Sequence, residues 1–293
     1  MNYTELKAQV STYLQNYEAD FVANIDVFIR QAEQRIYNSV QFPSLRKNVT
    51  GQTFAGNQYL SAPIDFLAVY SMAVYRTAST LCTGTVGQRI ITATSLDNIE
   101  IGQTVSGTGM APNTVVIGID PFTNTIALSE SVAAFMGEGV TLTFQSDYVY
   151  LLNKDVNFIR QAYPTKYYKS LPQYYAIFGP TTTDDVPPEL TDNLSFILGP
   201  TPDTDYAVEL HYYFYPESIT TAADGETWLG NNFDTVLLYG TLVEAYTYLK
   251  GEADLIQLYD TRYKDALAQA KRLGDGMERQ DAYRSGQYRQ PVT

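Results

Sequence analysis

The composition of the chain changes abruptly near Thr83 and again near Phe144. Between these positions the sequence consists largely of Gly, Thr, Val and Ile, with very few lysines, arginines or aromatic residues. Short runs of β-branched residues separated by turn-forming Asp-Asn, Gly-Thr-Gly and Thr-Asn sequences predict a small all-β domain. Aromatic-rich sequence resumes at Tyr148, so we expect residues 83–145 to be a domain inserted at a loop of a host domain, which comprises residues 1–82 and 146–273.

The host sequence predicts helices at both of its ends. Residues 2–40 predict two helices, the second of them amphipathic because apolar residues recur at helical spacing. Residues 232–250 and 252–273 predict a helical hairpin closed at Gly251. One face of its second helix carries Leu255, Tyr259, Arg262, Ala266, Ala270 and Leu273.

Between these helices the host sequence predicts β-strands. The strands 194–198 and 206–215 are separated by a polar, proline-containing turn, and we expect them to pair as a β-hairpin. The expected fold class is therefore α+β. A helical bundle of N-terminal helices and the C-terminal helical hairpin would be joined to an antiparallel β portion and to the inserted all-β domain.

Charge and hydropathy exclude several classes of partner. The 293 residues carry a formal net charge of -13, which disfavours non-specific binding of nucleic acid or anionic lipid. The sequence shows no apolar run long enough to span a bilayer and no signal peptide at its N-terminus. We expect a protein made and kept in the cytosol, without membrane association.

The sequence offers little for catalysis. His211, the single histidine, lies in a predicted strand, and neither a nucleophile nor an orienting acid can be named for it. Cys82 lacks a second cysteine at redox or metal-binding spacing, and Asp184 and Asp185 are adjacent in a loop rather than placed across a cleft. We therefore expect no enzymatic activity, no cofactor and no metal site.

The last twenty residues, 274–293, contain few apolar side chains. Such a segment does not offset an ordering cost of roughly 1–2 kcal/mol per residue through its own contacts. It either frays or is ordered by a partner, and its spaced tyrosines and arginines are residue types that anchor interfaces. The whole chain contains 25 tyrosines, a surplus that suits wet cores or subunit interfaces without choosing between them.

The host domain resembles the head-to-tail adaptor, or connector, proteins of short-tailed bacteriophages. The resemblance is carried by FIRQAEQRI from Phe28, LSAPIDFL from Leu60, LGPTPD from Leu198, and TWL from Thr227 continuing to Tyr239-Gly240. These segments span about three quarters of the chain in the order typical of that family. The inserted domain departs from the family pattern and is similar to small β modules of phage structural proteins.

The resemblance implies a structural protein that forms a dodecameric ring beneath the portal protein at the head-tail junction of a virion. The ring would join the portal to the tail nozzle or hub, and genomic DNA would pass through it without specific binding. The C-terminal tail would dock on the portal, with Met277, Tyr283, Arg284, Tyr288 and Arg289 as the expected interface residues. An acidic chain suits such a channel, because a negative wall repels phosphates.

Alternatives remain open at the level of sequence, both for the inserted domain and for the whole chain. The inserted domain is either a module that binds tail fibres or carbohydrate, or a thickening of the ring wall that contacts neighbouring copies. A tail-associated cell-wall hydrolase is a further alternative, with no catalytic group to nominate.

Overall fold

A computed structural model describes residues 1–40, 42–136, 139–165, 167–179 and 194–277, with side chains described as far as Gly274. In these ranges the chain forms a mixed α+β fold with six α-helices and fourteen β-strands. It divides into two compact units, residues 1–47 with 213–293 and residues 48–212. The domain boundaries inferred from composition remain predictions.

The helices are α1 (Tyr3–Leu14), α2 (Ala19–Ser39), α3 (Val156–Ala162), α4 (Trp228–Asn232), α5 (Asp234–Tyr248) and α6 (Ala253–Met277). The strands are β1 (Arg46–Gln52), β2 (Tyr59–Ser61), β3 (Ala68–Tyr75), β4 (Thr77–Gly84), β5 (Ile90–Ala93), β6 (Thr104–Ser106), β7 (Val116–Asp120), β8 (Thr125–Leu128), β9 (Val140–Gln145), β10 (Val149–Tyr150), β11 (Leu152–Asn153), β12 (Tyr174–Phe178), β13 (Ser195–Gly199) and β14 (Ala207–Tyr213).

The first unit is built from the terminal helices α1, α2, α5 and α6. α1 begins with a capping box, in which the Asn2 side chain accepts the Glu5 N–H at 2.9 Å and the Glu5 carboxylate accepts the Asn2 N–H at 3.0 Å. α2 buries a continuous stripe that includes Ile25, Ile29 and Ile36, and these side chains pack with α5 in one core. Each such side chain stabilises the fold by about 1.5–3 kcal/mol through burial. The predicted N-terminal helices are confirmed.

The turn between α5 and α6 differs in detail from the sequence prediction. Lys250, rather than Gly251, adopts the left-handed conformation, with φ of 50°. Gly251 is needed for a different reason, because a Cβ there would lie 2.2 Å from the Tyr246 ring. α6 also runs four residues beyond the predicted end at Leu273, as far as Met277. Gly274 is buried one turn after the buried Ala270, so the stripe that holds the helix continues into the predicted tail.

Two four-stranded sheets in the second unit pack face to face. Their strand orders are β1-β14-β3-β10 and β11-β12-β13-β2. The Phe66 ring contacts Phe196 of one sheet at 5.3 Å and Tyr212 of the other at 6.0 Å between centroids. The helix α3 covers the opposite face of the second sheet, where Ile159 packs with Ala176 and Ile197.

The predicted hairpin between residues 194–198 and 206–215 is wrong, because β13 and β14 lie in different sheets. β13 pairs with β12 and β2, while β14 lies between β1 and β3. The hydrogen bonds at Tyr206 give the physical reason. Thr53, just after β1, donates its N–H to the Tyr206 carbonyl at 2.9 Å, and its hydroxyl oxygen accepts the Tyr206 N–H at 3.0 Å. These bonds direct the chain away from β13.

The compositionally distinct segment forms a closed β-structure. Its six strands have the order β6-β9-β4-β5-β8-β7. Val105 donates its N–H to the Thr114 carbonyl at 2.8 Å, and Val116 donates to Gln103 at 2.9 Å, so the two outer strands also join each other. We call this structure the barrel. Closure leaves its strands without a long free edge, and its interior is filled by side chains such as Phe144 and Leu142.

The barrel begins before the compositional change, because β4 starts at Thr77 and pairs along its length with β9. The chain passes into it at Arg76 and leaves it at Ser146. Ser146 donates its N–H to the Arg76 carbonyl at 2.9 Å, and the Arg76 N–H donates to the Ser146 hydroxyl at 2.8 Å. The two chain crossings therefore lie side by side.

Candidate interaction surfaces

The groups considered for catalysis do not converge in the described residues. His211 lies on β14 with a half-exposed side chain, its Nε2 3.4 Å from Glu209 Oε1. Cys82 is enclosed in the barrel, and burial raises the pKa of its thiol to about 11, so it is protonated at neutral pH. Asp184 and Asp185 lie outside the described residues.

The described residues contain no cluster of three or more His, Cys, Asp or Glu side chains suited to holding a metal ion. Over those ranges, no helix combines the length and apolar character needed to cross a membrane.

The helices α5 and α6 leave a groove on one side, which we call the α5–α6 groove. It has a volume of about 530 Å³, and the buried side chains of Val236 and Ala270 form its base. Exposed residues at its margins include Asp234, Asp265 and Leu273. The margin carries both signs of charge, because Arg262 also lines the groove.

A group of tyrosines continues this surface along the two helices. Tyr239 lines the groove, and two turns further along α5 the Tyr246 ring meets the Tyr259 ring of α6 edge to face, 5.9 Å between centroids. Burial raises the pKa of Tyr259, and the nearby phenols of Tyr246, Tyr13 and Tyr239 raise it further. The four rings therefore lie close together, with Tyr13 half exposed.

Beside the groove, α6 packs against α2 and α5. The Arg35 guanidinium lies 5.0 Å from the centre of the buried Tyr263 ring and forms ion pairs with Glu244 at 3.2 Å and Asp260 at 3.7 Å. Gly240 allows α5 to approach this ring, since a Cβ there would lie 3.1 Å from it. These contacts anchor α6 to α2 and α5 next to the groove.

Only one of the predicted docking residues lies within the described part of the chain. Met277 is its last residue, whereas Tyr283, Arg284, Tyr288 and Arg289 lie outside the described residues. Sequence reasoning identified the α6 face that lines the groove but missed its α5 side. The spacing of Val236, Tyr239 and Tyr246 along α5 was the available signal, since residues three and seven positions apart share one helix face.

The exterior of the barrel forms a second candidate surface. Its six strands carry a single charged side chain, Asp120. Hydroxyl and amide side chains of adjacent strands face each other there, as in the pairs Ser79–Thr143 and Thr77–Gln145. At one end, the β7–β8 turn holds Phe122 with 97% of its surface exposed. The Asp120 carboxylate accepts the Phe122 N–H at 2.9 Å and the Thr123 hydroxyl at 2.8 Å, which fixes the turn.

Comparison with known proteins gives one family. A family model described as SU10 adaptor protein matches residues 1–129 and 107–291, two segments that overlap within the barrel and together take in nearly the whole chain. No curated protein matches the chain. The family indicates a phage adaptor with a structural role, a virion component that associates with other head and tail proteins. This match over nearly the whole chain shows that the chain belongs to the SU10 adaptor protein family.

Proposed function

We propose that the protein is the head-to-tail adaptor of a short-tailed phage. In this role a dodecameric ring docks beneath the portal protein, joins it to the tail nozzle or hub, and lines the channel through which genomic DNA passes. The observation that carries the proposal is the family match along nearly the whole chain. The net charge of -13 supports it, because a negatively charged wall does not retain phosphates.

The helical bundle is the proposed body of the ring, and residues 274–293 are its proposed docking arm. α6 supports this arrangement, because Arg35 of α2 contacts the Tyr263 ring of α6 and the helix runs without a break to Met277. The proposed portal contacts are Met277, Tyr283, Arg284, Tyr288 and Arg289. Tyrosine and arginine are the side chains most often found to carry interface binding energy.

Binding to purified portal rings tests the arm. The variant Tyr283→Ala/Arg284→Ala/Tyr288→Ala/Arg289→Ala should bind at least about a hundredfold more weakly than the unmodified chain, since each lost anchor costs about 1–2 kcal/mol. The control is Tyr167→Ala/Tyr168→Ala, which removes two exposed tyrosines of the second unit. Unchanged affinity of the quadruple variant would reject the arm, and no binding by the unmodified chain would reject the adaptor role.

A second candidate function concerns the barrel, which we propose contacts tail fibres or carbohydrate. Phe122 is the specific observation, because a fixed turn presents an exposed aromatic ring and an exposed ring is a typical anchor. Replacing Thr77–Gln145 by a short linker is geometrically simple, since Arg76 and Ser146 are already hydrogen-bonded. Loss of fibre attachment together with retained portal binding would support this role. Unaltered attachment would contradict it.

A further inference from the structure

We propose that the α5–α6 groove binds the chain's own C-terminal segment, residues 278–293, when the protein is free in solution. The groove is a surface feature of α5 and α6, and the segment starts directly after the last residue of α6. The inference goes beyond docking on a portal, because it concerns the protein before any partner is bound.

The reach of the segment fits the groove. The lining residue farthest along α6 from its end is Arg262, fifteen positions before Met277, which is about 22 Å along a helix. Sixteen residues follow Met277, and an extended chain of that length spans roughly 50 Å. The segment is therefore long enough to turn back and lie along the whole groove.

The charges are complementary. Within the described part of the chain, neither the Asp234 nor the Asp265 carboxylate has a lysine or arginine at ion-pair distance. The segment has Arg279, Arg284 and Arg289 against two acidic residues, Glu278 and Asp281, so it is net positive in a chain with 32 acidic and 19 basic residues. An arginine fork that meets a carboxylate forms a charge-assisted pair of hydrogen bonds.

The shape and polarity of the groove suit a tyrosine beside an arginine. Its base is apolar, and Tyr239 lies at its side as a partner for edge-to-face packing. A volume of about 530 Å³ accommodates a few side chains rather than sixteen residues. We therefore assign the contact to one of the two Tyr-Arg pairs in the segment, Tyr283-Arg284 or Tyr288-Arg289.

The segment of the same chain is favoured over that of a second copy. A tethered segment has an effective concentration of the order of millimolar, far above that of free copies in dilute solution. Two copies that each carry a net charge of -13 also repel each other at low ionic strength. The regulatory consequence, which rests on the proposed function, is that a portal must displace the segment before the arm docks.

Disulfide trapping in the full-length chain tests the contact. The variant Gln269→Cys/Ser285→Cys places one thiol at the groove and the other between the two Tyr-Arg pairs. Its control, Lys271→Cys/Ser285→Cys, places the first thiol on the exposed opposite side of α6, at a similar distance from Met277. The native Cys82 is buried with a raised pKa, so it should not compete.

Under mild oxidation, the groove pair should form an intramolecular disulfide at least tenfold faster than the control pair, with a rate independent of protein concentration. Adding Asp265→Arg should reduce the rate to that of the control. Equal rates for the two pairs, or predominantly intermolecular disulfides, would overturn the inference. The trapping experiment contains no portal protein, so slow disulfide formation by the groove pair would not affect the proposed docking role. Conversely, a chain that forms the disulfide rapidly but does not bind portal rings would reject only the docking role.

Discussion

Glu33 is a carboxylic acid almost completely enclosed in the first unit, with 3% of its surface exposed. Its carboxylate accepts the Ile219 N–H at 2.9 Å and so fixes the segment after β14 to α2. Burial raises the pKa of Glu33 above its ordinary value of 4.5, although the hydrogen bonds from Ile219 and Ser218 oppose the shift. The stability that this residue provides is therefore present in acid and is lost as the pH rises through the folded-state pKa.

The variant Glu33→Gln keeps the acceptor for Ile219 and removes the titration. We expect the variant to gain stability relative to the unmodified chain as the pH rises from 4.5 to 7, measured as the difference in free energy of unfolding in urea. Glu33→Ala should lose about 1–3 kcal/mol, because it leaves a buried N–H without its partner. Glu18→Gln, at an exposed glutamate preceding α2, is the control. Parallel pH profiles for Glu33→Gln and the unmodified chain would contradict the assignment.

Arg76 connects the barrel to the loop between β13 and β14. Its guanidinium forms an ion pair with Glu100 and lies 3.6 Å from Asp203 and 3.1 Å from the Tyr206 hydroxyl. Arg76→Met, which keeps most of the apolar stem, should lower the free energy of unfolding by about 1–2 kcal/mol, since Tyr206 and Asp203 lose a charged partner. Arg89→Met, at an exposed arginine of the barrel segment, should be neutral. Equal effects of the two substitutions would argue against this connection.

At the scale of elements, the turn between α5 and α6 has a lysine at a left-handed position that glycine would adopt at lower cost. Lys250 holds a φ of 50°, which costs an L-residue about 1 kcal/mol and costs glycine little. We expect Lys250→Gly to stabilise the protein by about 0.5–1 kcal/mol, measured by thermal unfolding. Lys250→Ala, which keeps the Cβ, should give no gain. Destabilisation by the glycine would show that the Lys250 side chain contributes more than its conformation costs.

Local patterns in the sequence were sufficient for most elements. The spacing of Ile29, Ala32 and Ile36 predicted α2, because a helix buries one stripe of residues. The pairing of strands was not predictable in the same way. β13 and β14 are each recognisable, but the hydrogen bonds between Thr53 and Tyr206, about 150 positions apart, decide that they separate. Such long-range contacts leave no local pattern.

For a related reason, the sequence predicted one wall of the α5–α6 groove and not the other. The face of α6 through Tyr259 and Arg262 was recognised, but a groove needs a second wall. That wall is formed by α5, and its position depends on the packing of Gly240 against Tyr263. The tail boundary also shifted, because the burial of Gly274 extends α6 beyond the predicted end.

At the scale of the whole molecule, the family match indicates a structural component of a phage virion. The acidic charge agrees with the proposed role as a head-to-tail adaptor. The barrel adds a surface with a single charged side chain on its strands and an exposed aromatic ring, Phe122, in the β7–β8 turn. Under the proposed function, the C-terminal end binds the portal and the barrel contacts tail fibres or carbohydrate.

Electron microscopy of the protein mixed with portal rings tests the central claim most directly. We predict a dodecameric ring of extra density on one face of the portal, coaxial with its channel, that is lost when the chain ends at Met277. A truncated chain that still forms the ring would contradict the docking arm. Portal rings without added density after mixing with the full-length chain would contradict the adaptor role itself.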